Sequence, residues 1–318
     1  MWRWRFIALV LLFIPMLLGA GNAPGQSYPN KPIRIVTSVP GSGNDLVARV
    51  VAQGLTPSLG QQVIVDNRGV VAMEIVAKAP RDGYTLLAFG SPLWMLPLLR
   101  SDAGWDPIKD FHPVILATSS PNILVVHPSV QATSVKELIA LAKARPGQLN
   151  YASAGPGSIA HISAELFKSM SQVDIVHVPY KGTGSAFNDL IGGQVQLMFS
   201  TAAAVTGHVK SGRLRALAVT SIKPSALAPG LPTVAASGLP GYDAASMVGV
   251  LVPAGTPRAI VNRLNKDIAL VLDKPDVKER LFTTGSEIVG GTPEEFGAIM
   301  KSEMARLGKV IKDAGIRE

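Results

Sequence analysis

Residues 33–52 read IRIVTSVPGSGNDLVARVVA. Ile33 to Val39 is short, apolar and rich in β-branched residues, and it breaks at Pro40-Gly41-Ser42-Gly43-Asn44-Asp45. After the break, Leu46, Val47, Val50, Val51 and Leu55 recur at helical intervals of three and four. An extended pattern giving way to a helical one across a glycine turn predicts strand, loop, helix. Such a loop brings its backbone N–H groups and the positive end of the helix dipole to one point, a ready site for an anion.

Two later stretches repeat the arrangement. Residues 148–167, QLNYASAGPGSIAHISAELF, pass from a strand through Ser153 to Ser158 into a helix. Residues 174–190, DIVHVPYKGTGSAFNDL, do the same through Pro179 to Ser185. One such loop says little, because turns need glycine for positive φ. Three, with no catalytic group beside them, predict a pocket for a carboxylate. Its candidate residues are Pro40, Gly41, Ser42, Gly43 and Asn44 in the first loop, Ser153, Ala154, Gly157 and Ser158 in the second, and Tyr180, Lys181 and Gly182 in the third. Gly90-Ser91-Pro92 closes another strand, and Ser91 is expected to place a further backbone group near the first loop. His161, one turn into the second helix, reaches either a ligand or the local backbone. His177 reads as a core histidine, and Asp45 as a helix-start residue favoured by the dipole.

Composition bounds the alternatives. The chain has 318 residues, enough for two domains, with 47% hydrophobic and 16% charged residues, a balance that fits an α/β protein with buried parallel strands. It has no cysteine, which excludes disulfides, thiolate nucleophiles and thiolate zinc sites. The formal charge is +8, without a run of five basic residues, so the surplus favours small anions over nucleic acid. Met1 to Arg5 is a basic head, Phe6 to Leu18 is apolar, and Gly19 to Ala23 is small. Residues 1–25 therefore read as a secretory signal peptide, which predicts an exported, periplasmic protein. No phosphate loop of the G-x-x-x-x-G-K type and no G-x-S-x-G elbow occurs, and the five histidines lack metal-ligand spacing. No catalytic residue, metal or cofactor is expected.

Further along, Val63 to Val65, Tyr84 to Ala88, Val114 to Ala117, Ile123 to His127, Val195 to Phe199, Leu214 to Thr220 and Met247 to Val252 read as strands. Val70 to Ala79 reads as a helix. Ser134 with Glu137 reads as a capping box. Thr256 reads as a helix cap with Pro257 at the first helical position, and Thr292-Pro293-Glu294-Glu295 opens the last long helix. Residues 221–240, rich in Pro, Ser, Ala and Gly, suggest a surface crossing between domains.

With these segments in order, the chain closely resembles the tripartite tricarboxylate transporter substrate-binding proteins, also called the Bug family. The resemblance covers nearly all of residues 28–316. It is carried by YPNKPIRIV, LGQQVIVDNR, PRDGYTLL, SVKELIALAKARPGQLNYASAGPGS, VHVPYKGTGSA, LIGGQVQLMF, GRLRALAVTS, LPTVAASGLPGY and GGTPEEF. It implies an α/β, two-lobed type II periplasmic binding protein fold with the ligand cleft between the lobes. Residues 28–126 and 222–318 would form lobe I and residues 127–221 lobe II. It also implies a non-enzymatic, monomeric protein that captures a small organic carboxylate and presents it to the membrane subunits of a transporter. The alternatives are a periplasmic sensor for a signalling partner, or an enzyme on the same scaffold. The resemblance places the carboxylate contacts in the three loops already singled out.

Three departures stand out. The glycine-rich insert usual after Asn67-Arg68 is shortened to Gly69-Val70-Val71-Ala72. The first loop reads SVPGSGND rather than a double-proline, double-glycine form. Ser200 stands where the family usually has an acidic residue. A hydroxyl donates as well as accepts, so Ser200 either contacts a ligand that carries no cation on that side or caps the helix that follows.

Overall fold

The computed structural model describes residues 28–155 and 158–316. The expected signal peptide and Gly157 lie outside the described residues. The chain runs β1 (Ile33–Thr37), α1 (Gly43–Leu59), β2 (Val63–Asn67), α2 (Val71–Ala77), β3 (Thr85–Gly90), α3 (Pro92–Leu99) and β4 (Phe111–Ser120). It continues through β5 (Asn122–Val126), α4 (Val135–Ala144), β6 (Asn150–Ser153), α5 (Ile159–Ser171), β7 (Val176–Pro179), α6 (Thr183–Ile191), β8 (Leu197–Thr201), α7 (Ala202–Lys210) and β9 (Arg215–Val219). It closes with β10 (Ser246–Pro253), α8 (Arg258–Leu272), α9 (Pro275–Thr283), β11 (Glu287–Gly290) and α10 (Pro293–Asp313).

The strands form two mixed sheets, ordered β11-β4-β10-β3-β1-β2 and β7-β6-β8-β5-β9. In each, three consecutive strands are parallel, and a helix carries the chain back between them. The expected two-sheet α/β architecture is present. One assignment needs correction: residues 122–126 were expected in the first lobe, but they pair with β8 and β9, so the chain enters the second sheet directly after Pro121.

The apolar residues sort as the helical spacing requires. Val47, Val51 and Leu55 of α1 pack with Ile33 and Ile35 of β1 and with Leu264 and Ile268 of α8. A larger core runs from one sheet to the other. It joins Trp94, Phe296 and Met300 to Tyr151, Phe167 and Phe199, with the fully buried Tyr242 in the same cluster. The Tyr242 hydroxyl donates to the Ser163 carbonyl at 2.8 Å. α10 packs against α3, β4 and α5, so the C-terminal helix bridges the two sheets on one side.

Helix ends follow side-chain chemistry. Thr292 and Glu295 make a complete capping box at α10. At α4, Ser134 accepts from the Glu137 N–H as expected, but the Glu137 carboxylate turns to Thr133, one residue before the cap. At α8 the expected cap is displaced: Thr256 Oγ1 donates to the Pro253 carbonyl, and Pro257 occupies the cap position before a helix that begins at Arg258.

Gly54 of α1 faces α8 so closely that an added Cβ would stand 2.3 Å from Val271 Cγ1. Alanine is the better helix former by about 1 kcal/mol, but overpacking of this kind costs about 1–3 kcal/mol. Gly54→Ala is therefore expected to lower the stability of the mature chain in urea denaturation. Adding Val271→Ala should give a double variant less destabilised than the sum of the two single changes.

Candidate functional site

The parallel strands β1, β2 and β3 end at one edge of the first sheet, at Thr37, Asn67 and Gly90. β10 runs against β3, and β4 against β10, so β4 also ends at this edge, at Ser120. In the second sheet β6, β7 and β8 end together at Ser153, Pro179 and Thr201. β5 is antiparallel to β8 and starts at that same edge, with Asn122 opposite Thr201. Pro121 alone separates β4 from β5, so the carboxyl edges of the two sheets meet at the crossing between them. This is the place where α/β sheets receive ligands. The return crossing is tied to the first: Asn122 N donates to Thr220 Oγ1 at 2.8 Å, Thr220 N to the Asn122 carbonyl at 2.9 Å, and Ala244 N to the Thr220 carbonyl at 2.9 Å.

At the first edge the β1–α1 loop is braced from within. Gly41 adopts φ 78°, and its N–H donates to Asp45 Oδ2 at 2.9 Å. The Ser42 hydroxyl caps α1 by accepting from Asp45 N and donates to the Val39 carbonyl. Asn67 Nδ2 bridges the Ser38 carbonyl and Asp45 Oδ1, both at 2.8 Å, and Arg49 bonds both Asp45 and Asn67. Burial pushes the Asp45 carboxyl up, but hydrogen bonds from Arg49, Asn67 and the Gly41 N–H outweigh it and hold the group below the ordinary aspartate range. The carboxylate is thus neutralised inside the loop. Pro40 and Gly41 are exposed, and the N–H groups of Gly43 and Asn44, first in α1, have no intrahelical acceptor. Ser91 lies at the same edge but is committed elsewhere: its N–H donates to the Met247 carbonyl and its hydroxyl accepts from Met247 N.

At the second edge Ser153 is fully buried, and Gly155 N donates to its hydroxyl at 3.1 Å. Ala154 and Ser158 are half-buried, and the Ser158 hydroxyl caps α5 by accepting from His161 N. Tyr180 N donates to the Ser153 carbonyl at 3.0 Å, tying the third loop to the second. Burial and the bond from its hydroxyl to Asp189 Oδ2 push the Tyr180 phenol up to about 12, so it stays a protonated donor. Gly182 caps α6 with backbone alone. Lys181 is exposed and makes no ion pair among the described residues.

Other histidine and serine positions resolve differently from the loops. His161 stacks on His177 with centroids 4.0 Å apart, and His177 in turn stacks on Tyr151 at 4.8 Å. Burial, with His177 alongside, pushes His161 down to about 4, so it is neutral at pH 7. Ser158 is the N-cap of α5 there. His177 is a satisfied histidine, its Nε2 2.7 Å from Ser153 Oγ. This is a nucleophile–base distance, but Ser153 is inaccessible and its hydroxyl is shared with Gly155. Ser200 lies within β8 opposite Ile123 and is buried, while Thr201 holds the cap position of α7. The expectation that Ser200 caps that helix is therefore set aside. Arg49 and Asn67, which brace the first loop, were not foreseen as site residues. The i, i+4 spacing of Asp45 and Arg49 carried a signal for half of that bracing.

The depressed Asp45 titration fixes a sign. Its contribution to stability is fully present above 3.8, the ordinary aspartate value, and is lost as pH falls through the lower folded value. Asp45→Asn is expected to lower stability at pH 7 by about 1–3 kcal/mol, the cost of unmaking buried charge-assisted bonds. Paired urea titrations should show the gap from the parent chain closing as pH drops below that ordinary value.

Comparison with known proteins gives this geometry a lineage. The model of the tripartite tricarboxylate transporter family receptors matches residues 47–316. Protein BugT of Bordetella pertussis is 36% identical over 320 residues, covering 98% of each chain. Among solved structures, Rpa4515 of Rhodopseudomonas palustris, determined with adipate, is 38% identical with a TM-score of 0.71, covering 91% of this chain and 99% of that one. MatC of the same organism, determined with malate, is 28% identical with a TM-score of 0.68, covering 89% and 100%. The matched residues run from the first glycine loop's helix through both sheets and the bridging C-terminal helix, and this chain belongs to the tripartite tricarboxylate transporter receptor family.

Proposed function

We propose that the chain is an exported receptor that holds a small organic carboxylate between its two lobes and delivers it to the membrane subunits of a tripartite tricarboxylate-type transporter. The observation that carries this reading is the pairing of edges. α1 from one sheet and α5 and α6 from the other all begin at the junction of the two carboxyl edges. Helix N-termini supply N–H donors and positive potential to an anion, and bonds from neutral amides to a carboxylate are strong because the acceptor is charged. Lys181 adds an exposed positive charge in the third loop. The acid of the first loop, Asp45, is already neutralised and offers no repulsion.

The related Rpa4515 and MatC, solved with adipate and malate, make four- to six-carbon dicarboxylates the first compounds to try. The reading contains no catalytic step: the close Ser153–His177 pair among the described residues is closed to substrate. Closure of the lobes on the ligand would take place about the Asn122–Thr220 crossing. The test is a thermal-shift screen of the mature chain against mono-, di- and tricarboxylates, aromatic acids and neutral amides. At a hundred times its Kd a ligand stabilises the native state by about 2.7 kcal/mol. At least one carboxylate is expected to raise the melting temperature by several degrees, whereas its amide should not. A flat response across the whole panel would overturn the proposal.

A further inference from the structure

Resting on that reading, we propose that the ligand is a carboxylate with an unsubstituted apolar body, its hydrocarbon part seated on a wall made by Val39, Val70 and Val71. These valines are 56%, 49% and 58% exposed, unusual for a residue type that is normally buried. Single exposed apolar residues need no explanation, but these three share one place. Val39 follows the end of β1, and Val70 and Val71 follow the end of β2, so all three stand at the carboxyl edge of the first sheet. The two loops touch: a Cβ added to Gly69 would stand 3.8 Å from Val39 Cγ1. The patch therefore continues directly into the loop that presents the Gly43 and Asn44 amides.

Three of the polar side chains beside the patch are already engaged. Asn67 bonds Ser38, Asp45 and Arg49. Arg68 is paired with Asp66 at 2.9 Å. The Ser42 hydroxyl is engaged on both its donor and acceptor sides. A ligand hydroxyl or ammonium laid directly against the three valines would lose water and gain no partner from them, which is costly. A methylene or ring carbon there gains by leaving water. The short Gly69-Val70-Val71 turn thus writes a preference for hydrocarbon into the lobe that faces the bound acid.

The test measures, by isothermal titration calorimetry, matched pairs that differ by one hydroxyl: succinate and malate, glutarate and 2-hydroxyglutarate, phenylacetate and mandelate. For the pair that binds best, the unhydroxylated acid is expected to bind roughly tenfold tighter or more, the range set by burying an unpaired hydroxyl. The isosteric triple variant Val39→Thr, Val70→Thr, Val71→Thr, with its fold checked by circular dichroism, should bring that ratio below about threefold by giving the hydroxyl partners. Equal or tighter binding of the hydroxylated acids to the parent chain would overturn this inference and leave the receptor reading standing. So would a preference that survives in the triple variant, as expected if the valines instead serve a protein contact. Failure of every acid to bind would overturn both.

Discussion

Parallel strands impose the constraint from which the rest follows. A chain that makes two neighbouring strands parallel must return through a crossover, here a helix, and each helix that follows a strand begins at the carboxyl edge of its sheet. Both sheets contain three such strands. Because β4 leaves the first sheet and β5 enters the second across Pro121, the two carboxyl edges are brought together. Unpaired helix N–H groups from both halves of the chain thus collect at one junction without any charged side chain being needed to draw them there.

The second feature is the way charge is handled at that junction. An acid at the start of α1 helps the helix but would repel an anionic ligand. The chain resolves the conflict by enclosing Asp45 with Arg49, Asn67 and the Gly41 N–H. The bracing fixes the loop and cancels the carboxylate, leaving the Gly43 and Asn44 amides ahead of it without an intrahelical acceptor. A comparable economy holds in the second lobe, where the buried Ser153 orders both its own loop and His177, and Tyr180 ties the third loop to the second. Both sets of loops lie at the carboxyl edges that meet at the crossing, where Asn122 and Thr220 bond reciprocally. The Tyr242–Ser163 bond and α10 hold the two lobes together on the side where the core is continuous.

Much of this was legible in the sequence, and the failures have physical causes. The change of period at residues 33–52 gave β1, the loop and α1, and Gly60 ends that helix in the left-handed conformation expected of a C-terminal glycine. α3 was not foreseen because Pro92-Leu93-Trp94-Met95-Leu96-Pro97 is apolar all round and carries two prolines, so no helical face shows. β11 was missed because its four residues pair only at the edge of the sheet, through β4. The entry of β5 into the second sheet depends on pairing with β8 and β9, more than 70 residues away, and no local pattern reports that. At the site, glycine and hydroxyl spacing picked out the loops. Which hydroxyls are free to meet a ligand depends on tertiary partners, as the commitment of Ser91 to Met247 shows.

The claim that most needs testing is that one ligand is held by both lobes at once. Backbone amide NMR of the labelled mature chain, titrated with the tightest-binding acid from the carboxylate screen, reports this directly. The account predicts concerted shifts at Gly43 and Asn44 in one lobe and at Ile159, Ala160, Thr183 and Gly184 in the other, with one common Kd. Shifts confined to a single lobe, or centred on a surface away from these helix starts, would contradict it.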